Sequence, residues 1–426
     1  MVWTTYKEKV KTLSEAILEA QRPIRILDSI KWDSDIDERL KKSKFKEMPA
    51  VGAEYYAAQS LSFDPVAKVE EFENIVRSVE QQIGADDDIG QKMIVNCREY
   101  QDVIRMLQHR GTNEFYQYSK RLYGSPKDTF HDEKTSISDI AQVMYSMLSI
   151  LGGRSIGEES PENLDAAQVV KQLNDKFAGY FSDNPVRAKI SDGIIADASA
   201  GSDTVKIRDG AMFSQRDVNL LEVHEGWVHV GTTLNGLNQH LCKFLAKGPP
   251  RVASTQEGLA VLLEIFSFVS SPKRARTIND RVIGIDKAES GANFLEVLEF
   301  YRIEGYSEED CLANAKRVFR GGVLDGGAPF TKDIAYIKGF IENYNFMRAA
   351  MKAGKPEYIP YLFVGKVHCS DVPLWYHKHH EGIIDAPKYI PAQFRDLNGV
   401  AVWMSFSNVF NMIDMNKVQE YFAKIF

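Results

Sequence analysis

Two histidines five residues apart, with a glutamate directly after the first, constrain this chain more than any other feature. They stand in His224-Glu225-Gly226-Trp227-Val228-His229. The text before them reads as a helix. Ser214-Gln215-Arg216-Asp217 is a capping-box start, and Val218, Leu221 and Val228 carry an apolar stripe into the motif. In an ideal α-helix the two imidazoles would lie about 140° apart around the axis, too far to share a ligand. The extra residue has to be absorbed by a widened π-type turn, an irregularity found mostly at functional sites. Gly226, inside the motif, would help the backbone tolerate that strain.

The chemistry that wants this pattern is metal-assisted hydrolysis. A catalytic zinc takes three protein ligands and keeps its fourth position for water, and a glutamate beside the first histidine can act as base on that water. His224 and His229 are two ligands and Glu225 is the base. A third ligand is available in Ser254-Thr255-Gln256-Glu257-Gly258-Leu259-Ala260, where Glu257 lies 28 residues beyond His229, with room for a loop and a returning helix. The same text supports a plainer reading. Ser254 and Glu257 also form an S-x-x-E capping box, in which Glu257 would only accept the Ser254 N–H. Next to the histidine pair, the ligand reading is preferred. Glu264, seven residues on, returns to nearly the same helix face. It is either a supporting carboxylate or a side chain that points away.

The rest of the chain sets the frame. Apolar residues recur at helical spacing over 65–83 (Val66, Val69, Phe72, Val76, Val79, Ile83), and further helices are expected at 88–108, 112–122, 137–151 and 415–426. Another is expected at 161–180, opening on Ser160-Pro161. The first twenty residues lack the apolar core of a signal peptide and read as an amphipathic helix with Tyr6, Val10, Leu13 and Ile17 on one side. Between 186 and 213 the pattern turns β-prone, with segments 186–195 and 204–213 joined by the turn-rich ASAGSD. A small hairpin is expected there. The fold class is therefore mainly α with a small antiparallel β-sheet. A loose division gives a helical N-terminal region, 1–185, and a catalytic region, 186–426, integrated in one domain.

Composition excludes several classes. A net charge of −7 argues against a dedicated nucleic-acid binder, which carries a basic face. No run approaches the ~18 apolar residues of a membrane span. Four cysteines without CxxC spacing signal neither a zinc ribbon nor a disulfide framework, so a reducing cytoplasm is the expected compartment.

HEGWVHVGTTLNG followed by TQEGLA resembles the bacterial QEGLA-motif family (DUF1704), which is similar to the microtubule-associated tyrosine carboxypeptidases. Those are zinc metallopeptidases that remove a C-terminal tyrosine from tubulin. The resemblance is clearest over 186–345, which includes DGIIADASAG, RVFRGG and FTKDIAYIKG. It implies a gluzincin-like core with one zinc per chain on His224, His229 and Glu257, Glu225 as base, and the C-terminus of a peptide or protein as substrate. Tubulin itself does not follow from it.

A carboxypeptidase also needs an oxyanion donor and a cation for the terminal carboxylate. Arg320, in Arg317-Val318-Phe319-Arg320-Gly321-Gly322, and Lys332 are candidate carboxylate binders. The glycines after Arg320 would let backbone approach a ligand. Tyr336 is a candidate oxyanion donor, on the face it would share with Lys332 four residues earlier. The strand at 204–213 could offer an edge to an extended peptide. His377, His379 and His380, with His368 nearby, form a rival cluster that could bind a metal, but with a lysine among them they read as a solvated or substrate-facing patch. His240 fits no metal spacing. The alternative to an enzyme is a regulatory or binding protein that retains a metal site. Three ligands and a base suit an open catalytic site better than a closed structural one. Oligomeric state is not legible.

Overall fold

The computed structural model describes residues 2–151, 161–192, 194, 197–410 and 412–425. The first half is helical where the apolar spacing placed helices: α1 (Val2–Gln21), α2 (Pro65–Gln82), α3 (Asp88–Gln108), α4 (Asn113–Tyr123) and α5 (Ile137–Leu151). Val10, Leu13 and Ile17 of α1 are buried, as are Phe72, Val76 and Val79 of α2; Val66 is the exception and faces solvent. After the two-residue strand β1 (Leu164–Asp165) comes α6 (Ala166–Tyr180). It starts later than Pro161 because Asp165, in a capping box with Gln168, closes its N-terminus. Ser160 lies outside the described residues.

The β region differs from the expected hairpin. Strands β2 (Arg187–Ser191), β3 (Ala198–Ala200) and β4 (Thr204–Arg208) form a sheet in the order β2-β4-β3. β4 runs antiparallel to β3, with Ala198 opposite Ile207, but parallel to β2, with Arg187 opposite Thr204. The turn is shorter than ASAGSD: Gly201 N–H donates to the Thr204 carbonyl, so the ASA segment is itself a strand. Residues 192–203 thereby supply the dozen-residue connection that a parallel pair requires. Positions 193, 195 and 196, part of the segment expected to pair, lie outside the described residues. A second antiparallel pair joins β1 to β5 (Met212–Phe213). With β4 in the middle, Thr204–Arg208 is not the open edge expected for a peptide; among the described strands of this sheet, β2 and β3 are the edges.

Helix α7 (Gln215–Leu221) opens on a reciprocal Ser214/Asp217 capping box and runs into a π-helix, Glu222–Val230, then α8 (Gly231–Leu237). The chain continues through α9 (Val252–Phe266), α10 (Pro272–Glu289), α11 (Phe294–Ile303), α12 (Glu308–Phe319), α13 (Ala335–Lys352), α14 (Val372–His380), α15 (Leu397–Phe410) and α16 (Met415–Phe422). None of the described helices is long and apolar enough to cross a membrane. The four cysteines are buried free thiols.

Three apolar cores meet at the centre. The largest joins α1, α2 and α3 to Val228 and to Leu259 and Leu262 of α9. The second packs α10, α11 and α12 against Val261, Tyr336 and Ile337. The third lies between α6, the sheet and Val230. The π-helix therefore sits between the first and third cores, and α9 between the first and second. Helix α9 is buried almost all round, as a helix with apolar residues on every side must be.

Two glycines set how closely α9 and α13 cross. A Cβ on Gly258 would stand 1.9 Å from the Gly339 carbonyl carbon, and one on Gly339 would stand 1.6 Å from the Ser254 carbonyl oxygen. Backbone is in contact with backbone, and neither side can yield. Gly339→Ala should destabilise the fold by roughly 1–3 kcal/mol or more, read as a lowered thermal midpoint. An unchanged midpoint would contradict this crossing.

Candidate metal centre

The π-helix solves the spacing problem of the histidine pair. Its wider i→i+5 winding brings residue 229 back beneath residue 224. The two imidazole rings lie 4.8 Å apart between centroids, nearly perpendicular at 84°. Gly226 is needed here for a different reason from the one the sequence suggested. Its φ is not in the left-handed region; a Cβ on it would stand 2.4 Å from Cε1 of Phe177 on α6.

Glu257 completes the arrangement. Ser254 is the third residue of α9, not its cap, so the capping-box reading of Glu257 fails. Its Oε2 lies 3.7 Å from His224 Nε2 and 3.5 Å from His229 Nε2. Zinc–ligand arms of ~2.0–2.2 Å at tetrahedral angles put ligand atoms roughly 3.3–3.6 Å apart. One of these separations falls in that range and the other 0.1 Å beyond it, so the three side chains need only a small closing movement to hold a zinc-sized cation. The other carboxylate oxygen, Oε1, accepts from Lys332 Nζ at 2.9 Å, which leaves Oε2 for a metal. Burial pushes the Glu257 carboxyl up, but Lys332 and the two histidines outweigh it and hold it well below the usual carboxylate range.

Glu264 fixes the ring of His224. The carboxylate is fully buried on α9 and accepts from His224 Nδ1 at 2.6 Å, which turns Nε2 toward Glu257. Arg274 Nη2 donates to the same Glu264 oxygen at 3.0 Å. Burial alone would raise Glu264; Arg274 and His224 bring it down to about 2. Burial likewise pulls His224 down, and Glu257 with Glu264 reverses this and holds it at about 9. For His229 burial outweighs Glu257 and Glu225 and leaves it lowered.

A second set of contacts ties the π-helix to α9. The Thr232 hydroxyl lies 2.6 Å from the Val228 carbonyl oxygen and 2.8 Å from Gln256 Oε1. Lys366 Nζ donates to the carbonyl of His229 and to Gln256 Oε1, both at 2.9 Å. Sequence reasoning missed Arg274 and Lys366, which sit in no motif. Gln256 and Thr232 stood inside the quoted motifs but gave no sign of each other.

The remaining expected residues fall near this centre in different ways. Glu225 is half-buried on the π-helix and close enough to act electrostatically on His224, His229, Arg274 and Lys366. Tyr336 is buried with its ring 6.5 Å from that of His224. Lys332 lies on a 3-10 turn, Lys332–Ile334, rather than one α-helical turn before Tyr336, yet its ammonium still stands 5.8 Å over the Tyr336 ring. Arg320 caps α12, stacked over Phe330, with Nε and Nη2 buried and unpartnered; burial and nearby Arg317 lower it to about 10. The glycines that follow it serve packing, since Gly321 has φ +77° and would drive a Cβ into Phe115. His377, His379 and His380 meet Tyr358, Tyr361 and Tyr376 edge-on or tilted and join none of the metal-ligand clusters among the described residues. His240 pairs with Asp385 at the surface.

Two clusters among the described residues have the donors and proximity to hold a metal ion: His224, His229 and Glu257, and a separate set of Glu342, His368 and Cys369. The first is a candidate metal-binding centre of the kind hydrolases use. The family model for microtubule-associated tyrosine carboxypeptidases matches residues 38–412, and the chain belongs to that family. No curated protein matches the chain.

If Glu264 orients His224, Glu264→Gln should weaken metal binding about 10- to 100-fold. Competition against a chromophoric chelator measures this; unchanged affinity would mean that the ring needs no such support.

Proposed function

We propose that this chain is a zinc metallopeptidase that removes residues from a free C-terminus. The observation that carries the reading is the convergence of His224 Nε2 and His229 Nε2 on one oxygen of Glu257 at 3.7 and 3.5 Å, beside a carboxylate, Glu225, on the same π-helix. A zinc ion held there would polarise the scissile carbonyl and lower the pKa of its bound water to about 7. The chain's own groups do the rest. Glu225 takes the proton of the attacking water and passes it to the leaving amine. Tyr336 donates a hydrogen bond to the developing oxyanion.

The terminal carboxylate falls to Arg320 and Lys332. Arg320 brings two buried N–H groups with no partner, a costly arrangement that an anion would relieve. Lys332 spends one donor on Glu257 Oε1 and has two more. The open side of β3, which packs against the π-helix, is the edge for the substrate main chain, in place of β4. The gluzincin-like design, the cytoplasmic setting and the use of one zinc at this centre belong to the same proposal. Since the family is named for tyrosine carboxypeptidases, peptides ending in tyrosine are the first substrates to try.

Amino-acid release from such peptides should require a free C-terminal carboxylate and disappear when the terminus is amidated. Glu225→Gln should slow release by about 10²- to 10⁴-fold with metal content retained. Equal cleavage of amidated peptides would point to an endopeptidase. No cleavage by metal-loaded wild type across a peptide library would favour the binding-protein alternative.

A further inference from the structure

We propose that Glu342, His368 and Cys369 hold a second metal ion of the zinc class, which ties α13 to the turn before α14 across the start of α9. One ligand atom from each residue lies within 4.8 Å of the others. An imidazole, a thiol and a carboxylate form a donor set that suits zinc and disfavours magnesium or calcium, which bind oxygen alone. This site is chemically distinct from the first, because it contains sulfur.

A separate observation points to a missing partner. Ser254 and Lys338 act on the Glu342 carboxyl, yet its Oε2 is buried and accepts no hydrogen bond. A buried carboxylate oxygen left bare is costly, and a cation is the partner that its neighbours could help to supply. The neighbours are already arranged. His368 is held through Nδ1, which lies 2.8 Å from Ser370 Oγ and accepts from the Ser370 backbone N–H at 3.3 Å. Cys369 is a buried free thiol whose backbone N–H donates to Thr255 Oγ1 at 2.9 Å. Asp371, two residues on, is taken by Lys92 and Arg251 and does not belong to the set.

The location gives the site a purpose. Glu342 lies on α13, three residues beyond the Gly339 contact with Ser254. Thr255 is held from both sides, by Cys369 N–H and by Asn343 Nδ2 on its carbonyl at 2.9 Å. Glu257 is two residues further along the same helix. A cation on Glu342, His368 and Cys369 would brace the turn of α9 that presents Glu257. The inference stands on its own residues and does not depend on the catalytic reading.

Cobalt substitution tests it, because only a thiolate ligand gives a sulfur-to-cobalt charge-transfer band in the near ultraviolet. Wild type should bind about two metal ions per chain and show the band. His224→Ala should drop to about one ion and keep the band, and Cys369→Ser should drop to about one and lose it. Wild-type protein without the band would overturn the proposal, and this measurement carries no risk of misfolding. A band that survives in Cys369→Ser would overturn it as well. Failure at the first centre reads differently: the metal count of His224→Ala would equal that of wild type, with the band intact in both.

Discussion

A single, largely enclosed carboxylate organises the centre of this molecule. Glu257 sits between two imidazoles and an ammonium, with one oxygen toward His224 and His229 and the other on Lys332. A charge in that position is tolerable only if it is paired and hydrogen-bonded, and each pairing fixes a different part of the chain. The histidines come from a π-helix, the lysine from the turn before α13, and the glutamate from α9. Around them the same rule repeats, with Glu264 on Arg274 and Asp333 on Arg317. The outcome is a cluster of opposite charges in which two nitrogen atoms and one oxygen remain pointed at a common space.

Each residue of the QEGLA sequence has its own physical reason. Gln256 takes hydrogen bonds from Lys366 and Thr232 and so couples α9 to the histidine-bearing segment. Glu257 is the converging carboxylate. Gly258 permits α13 to cross in backbone contact. Leu259 and Ala260 fill the largest core. The motif is thus one turn of helix that faces three partners at once, which is why its composition looks neither like a core helix nor like a surface one.

Much of this was legible in the sequence. The five-residue histidine spacing required a π-turn, and Glu222–Val230 is one. The helices with strong apolar stripes appear within a few residues of their expected limits, because burial of one face decides them locally. What was not legible depends on distant partners. The parallel pairing of β2 and β4 arises from a connection whose middle, Ala198–Ala200, has too few residues to announce itself as a strand. The role of Gly226 is set by Phe177, 49 residues earlier. The Glu342, His368 and Cys369 cluster joins a helix to a loop 26 residues beyond it, with no spacing signature of any known metal motif. Glu264 stood open between two readings because its direction rests on Arg274 and His224 together.

The most direct test of the central claim is an anomalous-difference map from crystals of the zinc-loaded protein, collected on either side of the zinc edge. The account predicts a peak ~2.0–2.2 Å from His224 Nε2, His229 Nε2 and Glu257 Oε2, with Lys332 still on Glu257 Oε1. A peak bound through Glu225 in place of Glu257, or no peak between the two histidines, would contradict it.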